Sequence, residues 1–521
     1  MKSINIFFVA WILVVLAGCK IENTKTKSPN IIYILADDMG YGDVSIFNND
    51  GKISTPNIDQ MANEGMIFTD AHTTSSVCTP TRYGILTGRY NWRSRLKQGV
   101  LTGKSKALIP PERTTVASML KDQGYYTGFI GKWHLGWDWA LKNSVDTSGV
   151  GWNKDDFEII DFSQPVTNTP NDLGFDYSYG HAGSLDMAPY VYVENGKVTE
   201  QPDTTTVNKG KYSWWREGPT GADFEHLDVT PNFFRRANKF IAENAESDDP
   251  FFLYLALPSP HTPILPTEEW LGNSGLNPYA DFAMMIDHYI GELLENTKTL
   301  GIEKNTLIIF TTDNGCSPAA GIDELQKMGH YPSYIYRGHK ADIYEGGHRV
   351  PFIVKWPEKI RANQTNDKII STSDLIRTLA DITGYSLADD EGEDSYSMLP
   401  HFTGSDNNKS VRENIIHHSI DGSFAIRKGN WKLIMVPHSG GWSFPKQGQD
   451  NGVIDTLPPI QLYNLREDPG ETTNLQHKNP EIVTKLRSLL ITYIEEGRST
   501  PGKSQKNDSI DFAWKQIDFI D

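Results

Sequence analysis

The sequence NIIYILADD, at positions 30–38, is an almost unbroken apolar run that ends in two carboxylates, Asp37 and Asp38. A run of this kind is typical of a strand buried on both faces, as in a parallel sheet covered by helices. Three further runs have the same form and also lead into polar residues: YTGFIG (126–131), FFLYLAL (251–257) and LIIFTT (307–312). We therefore predict four central strands of one sheet.

Helices are predicted between these strands. The candidate segments at 57–64, 116–123 and 279–300 each stop at a glycine, a common residue just past a helix end. Strands that alternate with helices predict an α/β fold with a mostly parallel sheet flanked by helices. Because ligands bind beyond the carboxyl ends of the strands in such sheets, the polar residues after the four runs are expected to meet at one edge.

Two other regions have a different pattern. Residues 423–435 predict a hairpin with its turn at 428–430, and residues 480–496 predict a helix, which together indicate a smaller C-terminal α+β unit. Residues 136–231 show no clear period and are rich in Gly, Pro and Asn. We interpret them as substrate-facing insertions whose aromatic rings stack on sugars or close a surface core. The tryptophans concerned are Trp137, Trp139, Trp152, Trp214 and Trp215.

Composition limits the possible functions. The chain has 521 residues, of which 38% are hydrophobic, and its net charge is −17. These values fit a soluble globular enzyme built as one large domain with an appendage, or as two to three domains. The negative charge and the lack of a basic stripe argue against nucleic-acid binding. A polyanionic substrate would therefore need a local basic pocket.

The N-terminus has the features of an export signal. Lys2 precedes an apolar run at 4–16, which is shorter than a membrane span of about 20 residues. The following Leu16-Ala17-Gly18-Cys19 resembles a bacterial lipobox, with an ordinary signal peptide as the alternative. On the lipobox interpretation, residues 1–18 are removed, Cys19 carries the lipid and residues 19–28 form a tether. The protein would then be an exported lipoprotein of the periplasm, outer membrane or cell surface, anchored in the membrane through its lipid.

The segment SVCTPTRYGILTGR, at 76–89, is the most informative for chemistry. Pro80 is tolerated in a first helical turn, where its missing N–H has no helical partner. A helix that starts near Thr79 would direct free N–H groups and its positive dipole end at Cys78, which suits an anion such as sulfate. The pattern Cys-x-Pro-x-Arg followed by Thr-Gly-Arg resembles the signature of the type I, formylglycine-dependent sulfatases. In that family the cysteine is oxidised after translation to Cα-formylglycine.

Further blocks resemble the same family, in particular arylsulfatases and N-acetylgalactosamine-6-sulfatases. They are GYYTGFIGKWH (124–134), His261-Thr262-Pro263, Gly338-His339-Lys340, YEGGHRVP (344–351), LYNL (462–465) and DPGE (468–471). The resemblance covers roughly residues 29 to 475 and implies an alkaline-phosphatase-like α/β fold. It implies a catalytic domain at 29–404 and a C-terminal subdomain with a tail at 405–521.

The resemblance also implies roles for individual residues. One hydroxyl of the hydrated formylglycine would attack sulfur, and a base would then deprotonate the other hydroxyl to release sulfate. Arg82 and Lys132 would stabilise the nucleophile, His261 would protonate the leaving alcohol, and His134 would be the base. Lys132, Lys340 and His261 would neutralise the sulfate. The implied catalytic residues are thus Cys78, Arg82, Lys132, His134, His261 and Lys340, with His181, Trp133 and Arg337 as additional candidate substrate contacts.

A metal site is indicated by the polar residues after two of the strands. Asp37, Asp38, Asp313 and Asn314 offer hard oxygen ligands. The resemblance implies that these four residues and the modified Cys78 hold one divalent ion that polarises the sulfate. In the family this ion is most often calcium, and magnesium is the less expected choice. The family further implies a maturation partner, either a formylglycine-generating enzyme or an anaerobic sulfatase-maturating enzyme.

The predicted activity is hydrolysis of sulfate esters on polysaccharides or oligosaccharides, such as algal or glycosaminoglycan chains. Two alternatives remain open. A phosphate or phosphonate monoester hydrolase of the same superfamily commonly uses Ser or Thr as nucleophile and often binds a second metal. The sequence shows only one obvious acid-rich set of metal ligands, which favours the sulfatase. A catalytically inactive glycan-binding lipoprotein would not need Lys132, His134, His261 and Lys340 together.

Overall fold

The computed structural model describes residues 27–142, 154–404, 410–508 and 515–520. The predicted export signal, Cys19 and Trp152 lie outside these ranges. None of the helices in the described part of the chain combines the length and the apolar character needed to cross a membrane.

The described ranges contain eighteen strands and eleven α-helices. The strands are β1 (Asn30–Ala36), β2 (Met66–Phe68), β3 (Ala71–His72), β4 (Tyr126–Lys132), β5 (Tyr177–His181), β6 (Val193–Glu194), β7 (Lys197–Val198), β8 (Pro202–Asn208), β9 (Trp215–Gly221), β10 (Phe251–Ala256), β11 (Thr306–Thr312), β12 (Phe352–Lys355), β13 (Gln364–Asn366), β14 (Ile370–Ser371), β15 (Asn414–His418), β16 (Phe424–Lys428), β17 (Trp431–Ile434) and β18 (Gln461–Asn464). The helices are α1 (Pro56–Asn63), α2 (Cys78–Thr87), α3 (Val116–Asp122), α4 (Val229–Ala245), α5 (Pro278–Thr299), α6 (Ile322–Lys327), α7 (Glu345–His348), α8 (Leu375–Thr383), α9 (Leu399–Thr403), α10 (Asn451–Ile454) and α11 (Pro480–Glu495).

A ten-stranded sheet forms the centre of the molecule, in the order β13-β2-β12-β11-β1-β10-β4-β5-β6-β7. The five neighbours β11, β1, β10, β4 and β5 are all parallel, and β12 pairs antiparallel with β11. Every residue from 31 to 36 in β1 is completely buried, so both faces of the sheet are covered. Two groups of helices pack there, α1 with α4 and α5, and α2 with α3 and α8.

The α/β prediction is confirmed in detail at the centre of the sheet. The four apolar runs form β1, β4, β10 and β11, which are adjacent and mutually parallel. The three predicted helices correspond to α1, α3 and α5 with ends shifted by one residue. Alternation of buried strands and glycine-terminated helices was therefore a sufficient signal for this part of the fold.

The described residues of the region 136–231 have more regular structure than the sequence pattern suggested. It contributes β5, a fifth parallel strand beside β4, and the antiparallel hairpin of β8 and β9. The strand β5 has the sequence YSYGH, which is short, contains glycine and has no apolar run. Its pairing with β4 is a tertiary effect that local periodicity does not reveal.

The C-terminal part forms a separate antiparallel sheet in the order β15-β16-β17-β18. The hairpin of β16 and β17 and the helix α11 confirm the predicted α+β pattern. Apolar residues of this sheet and of α11 enclose a second core around Leu433, Leu462 and Leu490. Edge strand β15 faces the main body, because Ser76 N donates to the His418 carbonyl at 3.0 Å.

Candidate active site

Polar residues after the parallel strands come together at the carboxyl edge of the sheet, as predicted. The adjacency of β11, β1, β10 and β4 places the ends of these four strands side by side. The residues are Asp37 and Asp38 after β1, Lys132 at the end of β4, His261 after β10, and Asp313 and Asn314 after β11. With α2 and Lys340 they form what we call the catalytic cluster.

Four acidic or amide residues form the floor of the catalytic cluster. Carboxylate oxygens of Asp37, Asp38 and Asp313 lie within 4.8 Å of one another. Asp37 Oδ1 and Asn314 Oδ1 are buried and have no hydrogen-bond partner among the described residues. Burial and the charge of Asp37 raise the pKa of Asp313 to about 6. Crowded carboxylates and buried oxygens without donors are what a divalent cation requires, so this set fits the predicted metal.

Two cationic side chains lie directly against this floor. Arg82 from α2 binds Asp313 Oδ2 at 2.8 Å, and Lys132 contacts Asp37. Burial alone would raise the pKa of Asp37, but Lys132, His261 and Arg82 hold it far below its usual range. Asp37 is therefore an anion in the folded protein, ready to bind a cation.

Lys340 is the third cation of the site. Its Nζ lies 2.6 Å from Asp38 Oδ1, and its backbone N–H donates to the Cys316 carbonyl at 2.9 Å. Burial acts to lower the pKa of Lys340, but Asp38 and the nearby Cys78 raise it overall. Lys340 is consequently charged at neutral pH and can meet an anionic ester.

Cys78 opens α2, and its side chain is enclosed in the site. The residue is 2% exposed and is the first of the helix, with Pro80 in the first turn as predicted. Burial raises the pKa of the Cys78 thiol to about 11, against the opposing charges of Lys132 and Lys340. With these protein neighbours alone, an unmodified thiol is protonated at neutral pH and is a weak nucleophile.

His261 lies on the open side of the catalytic cluster. Its side chain is 12% exposed, whereas those of Arg82, Lys132 and Lys340 are at most 5% exposed. Its Nε2 lies 3.4 Å from Ser184 Oγ, and that hydroxyl is 3.3 Å from Lys132 Nζ. Burial and the charge of Lys340 lower the pKa of His261. Ser184 was not predicted, because a serine in an aperiodic segment carries no sequence signal.

His134 is fixed in a single orientation beside α2. Its Nε2 lies 2.8 Å from the Leu101 carbonyl, and the Leu101 N–H donates to Thr79 Oγ1. Nδ1 is buried and has no hydrogen-bond partner among the described residues. Burial and the charge of Lys132 hold the pKa of His134 well below its usual range. The ring is neutral, with its proton on Nε2 and an unused lone pair on Nδ1.

The three additional candidate contacts have different surroundings. Trp133 is 1% exposed and donates its indole N–H to the Gly136 carbonyl at 2.9 Å, so it is a core residue. Arg337 donates to the Glu471 carbonyl and lies over the Tyr344 ring, among C-terminal loops. His181 is buried at the end of β5, next to β4. Trp133 is therefore enclosed and not available to a substrate, whereas Arg337 is half-buried and stays a prediction.

A buried network behind Asp38 was not foreseen. Asp38 has a φ of 67°, which is strained for a residue with a side chain. The Tyr279 hydroxyl lies 3.0 Å from the Asp38 carbonyl and 2.5 Å from Asp43 Oδ2. His330 Nε2 lies 2.7 Å from the other Asp43 oxygen. Tyr279, Asp43 and His330 thereby hold the Asp37-Asp38 turn in its unusual conformation.

A second buried group of potential ligands lies elsewhere. We call His72, Glu345, His348 and His417 the histidine cluster; their potential ligand atoms also lie within 4.8 Å of one another. Lys432 Nζ lies 3.1 Å from Glu345 Oε1 and 3.0 Å from His348 Nε2. Burial acts to raise the pKa of Glu345, but Lys432 and His72 hold it well below its usual range. This cluster already contains its own cation.

Known proteins match the chain over most of its length. Residues 29–385 match the sulfatase family. The N-acetylgalactosamine-6-O-sulfatase of Bacteroides thetaiotaomicron is 33% identical over 92% of this chain and 96% of its own length. Human arylsulfatase A is 31% identical over 89% of this chain and 87% of its own length.

A solved structure agrees with these relatives. It comes from work on the metabolism of multiple glycosaminoglycans by Bacteroides thetaiotaomicron and aligns with a TM-score of 0.76 at 32% identity. The alignment covers 90% of this chain and 99% of that chain. The central sheet and the C-terminal sheet therefore occur together in a protein of known structure.

Proposed function

The chain belongs to the sulfatase family and is a sulfuric-ester hydrolase, and from that premise we propose that it desulfates sugars through a formylglycine made from Cys78. The position of Cys78 supports this proposal most directly. It begins α2 among Lys132, Lys340 and the acidic floor, where a sulfate ester and a metal ion would both be within reach. The family in general uses formylglycine and a divalent metal.

The side chains around position 78 suit this chemistry. Formylglycine, as its hydrate, supplies two hydroxyls on one carbon, one to attack sulfur and one whose deprotonation expels sulfate. Lys132 and Lys340 bind the sulfate oxygens and stabilise the charge that develops on them. His134 takes the proton of the second hydroxyl on Nδ1, because its Nε2–H is already donated to the Leu101 carbonyl.

We assign His261 the protonation of the leaving sugar oxygen. It occupies the open side of the site, where the alcohol must depart. Nδ1 lies 2.6 Å from the Thr262 carbonyl, so Nδ1 carries a proton and Nε2 faces Ser184 and the site. A bound sulfate adds negative charge beside the ring and favours its doubly protonated form.

The metal is proposed to be calcium. Asp37, Asp38, Asp313 and Asn314 would hold it, and the bound ion would withdraw charge from the sulfate. The four residues are at most 1% exposed, which leaves little space for the several waters that magnesium usually keeps. After exhaustive chelation, calcium should restore activity at lower concentration than magnesium. Equal restoration by both ions would remove the preference.

The substrate is proposed to be a sulfated glycan. Two of the similar proteins are an N-acetylgalactosamine-6-O-sulfatase and a sulfatase from work on glycosaminoglycan metabolism, and both come from Bacteroides thetaiotaomicron. N-acetylgalactosamine 6-sulfate is therefore the first compound to assay, beside 4-nitrophenyl sulfate. Turnover of the aryl ester without turnover of any sugar sulfate would contradict the substrate class but not the reaction.

Mass spectrometry of the Cys78 peptide tests the nucleophile. Protein made in its natural host should show the mass loss from thiol to aldehyde and should react with hydrazide probes. The same conversion requires a formylglycine-generating or anaerobic sulfatase-maturating enzyme as partner. An active preparation whose Cys78 is entirely thiol would overturn the mechanism.

Membrane attachment through Cys19 completes the proposal. Residues 16–19 support it by their resemblance to a lipobox. A Cys19→Ala variant should appear in the soluble exported fraction, whereas the parent should sediment with membranes. Identical fractionation of the two proteins would contradict the lipid anchor and leave the enzyme assignment untouched.

A further inference from the structure

The sugar must leave the catalytic cluster on the side of His261. Among the catalytic side chains of the cluster, His261 is the most exposed, at 12%, while the lysines and Arg82 are enclosed. Whatever carries the sulfate ester therefore extends past His261. The segments that border His261 decide which alcohol fits there.

Two segments border His261, and a third connects them. Ser184, which lies 3.4 Å from His261, belongs to a turn closed by the Met187 N–H and the Ser184 carbonyl at 2.8 Å. On the other side, the Ile264 N–H donates to the Tyr212 carbonyl at 2.8 Å. Residues 212–216 thus start at the loop of His261. They end at the turn of Ser184, because the Arg216 N–H donates to the Asp186 carbonyl at 3.3 Å.

The connecting segment presents an aromatic ring and an ion pair. Trp214 is 38% exposed, while Trp215 stacks on His226 with a centroid distance of 4.0 Å. The Arg216 guanidinium lies 4.8 Å from the Trp214 ring centroid and forms an ion pair with Asp186. Asp186 is 5% exposed, and its Oδ1 has no hydrogen-bond partner among the described residues. An aromatic ring that is joined through Arg216 to a buried carboxylate with an unused acceptor offers both an apolar face and polar partners to a ligand.

We propose that Trp214, Arg216 and Asp186 bind the sugar ring that carries the sulfate ester. The apolar face of the ring packs on Trp214, and hydroxyl or amide groups bond to Asp186 and Arg216. The ion pair has no net charge, so the surface selects neutral substituents rather than a second anionic group. This inference rests on the proposed function and specifies where the sugar is recognised.

Kinetics with two substrates test the proposal. Trp214→Ala should raise KM for N-acetylgalactosamine 6-sulfate about tenfold, with kcat within twofold of the parent value. Both constants for 4-nitrophenyl sulfate should stay unchanged, because that ester lacks the sugar. Arg216→Met should behave in the same direction. Tyr126→Ala is the control. It removes an aromatic residue that is 43% exposed at the start of β4, away from the carboxyl ends of the strands, and should leave kcat and KM unchanged for both substrates.

Two results would contradict the proposed sugar-binding surface. A parent-like KM for the sugar sulfate in Trp214→Ala would show that the ring does not contact the sugar. Equal losses on both substrates would show that Trp214 supports the catalytic cluster instead, and thermal unfolding of each variant would identify such a fault. A parent enzyme that turns over the aryl ester but no sugar sulfate would instead contradict the proposed substrate, and the sugar surface with it.

Discussion

The catalytic cluster and the histidine cluster are both buried groups of acidic and basic side chains, yet they differ in what they leave unpaired. In the catalytic cluster, Asp37 Oδ1 and Asn314 Oδ1 have no hydrogen-bond partner among the described residues. In the histidine cluster, Lys432 Nζ lies 3.1 Å from Glu345 and 2.8 Å from Glu471. Both clusters contain cationic side chains, but within the described ranges the unpaired ligand atoms of the catalytic cluster are two oxygens, whereas that of the histidine cluster is the ring nitrogen His417 Nε2.

The difference shows why residue type alone does not identify a metal site. Three histidines and a glutamate within 4.8 Å of one another would suggest a transition metal. Lys432 would repel a second cation at short range, but Lys132 and Lys340 stand equally close to the acidic floor, so a nearby ammonium does not decide between the two clusters. Unpaired oxygens on the potential ligands themselves are the better guide, and Asp37 and Asn314 supply them in the cluster that contains Cys78.

The largest effect is expected from a substitution that abolishes the reaction and leaves the fold intact. Cys78→Ala should lower kcat/KM about 10⁴–10⁶-fold on every sulfate ester, because the nucleophile serves all substrates. Its melting temperature should stay close to that of the parent, since alanine removes only the atoms beyond Cβ of one small side chain. Cys316→Ala is the matched control: it removes the other buried cysteine and should retain activity. Substantial turnover by Cys78→Ala would place the nucleophile elsewhere.

The next effect distinguishes a proton donor from a simple anion contact within the catalytic cluster. His261→Ala should lower kcat/KM on a sugar sulfate about 10²–10⁴-fold, because a sugar alkoxide needs a proton to leave. The loss on 4-nitrophenyl sulfate should be much smaller, since nitrophenolate leaves unaided. Comparable losses on both esters would mean that His261 only binds the sulfate, and would direct attention to His134 or Lys340.

Removing the ammonium from the histidine cluster should affect stability rather than chemistry. Lys432→Met removes the ammonium from the buried carboxylates of Glu471 and Glu345, and although Glu345 keeps Arg349 at 3.1 Å, the loss should reduce the free energy of unfolding by about 3–5 kcal/mol. Lys428→Met, on the neighbouring strand, breaks the ion pair with Glu413, whose side chain is 73% exposed, and should cost about 0–1 kcal/mol. Chemical denaturation measures both. A large loss of kcat per folded Lys432→Met molecule would tie this cluster to the reaction.

Metal binding is expected to have the smallest effect, a change in stability, but it distinguishes the catalytic cluster from the histidine cluster most directly. Calcium at about 100 times its Kd should add about 2.7 kcal/mol to the free energy of unfolding of the chelated protein. Asp37→Asn should lose this stabilisation by calcium. Glu345→Gln should keep it, even though the variant is less stable than the parent without calcium. Thermal unfolding with and without calcium reads the difference independently of activity. A response lost in Glu345→Gln instead would assign the metal to the histidine cluster.

Much of the site could be predicted from the sequence, because its residues follow strands with a clear apolar pattern or lie in motifs of several characteristic residues. Asp37, Lys132 and Asp313 follow or end apolar runs whose parallel pairing brings their ends together. Cys78 and Arg82 lie in one recognisable block. For these positions the sequence contains both the structural element and the chemical group.

Other residues could not be found in this way because their roles arise from contacts distant in sequence. Ser184 reaches Lys132 and His261 only after β5 pairs with β4. Tyr279, which lies in α5 more than 200 residues from Asp38 in sequence, supports it through a single hydroxyl. Trp133 was misjudged in the opposite direction, since its place in a motif suggested function and its packing shows a core role.

The pairing of β1 has a consequence for how the chain comes to be folded. Ile31, in the first strand to be synthesised, pairs with Phe252 and Leu307, which are made more than 200 residues later. At about 5–20 residues per second, β1 waits roughly 10–40 s with both of its edges unpaired. The main domain therefore cannot close from its N-terminus, and a fragment that stops before β10 should not fold. Throughout that interval Cys78, enclosed in the finished protein, would remain accessible to the proposed modifying enzyme.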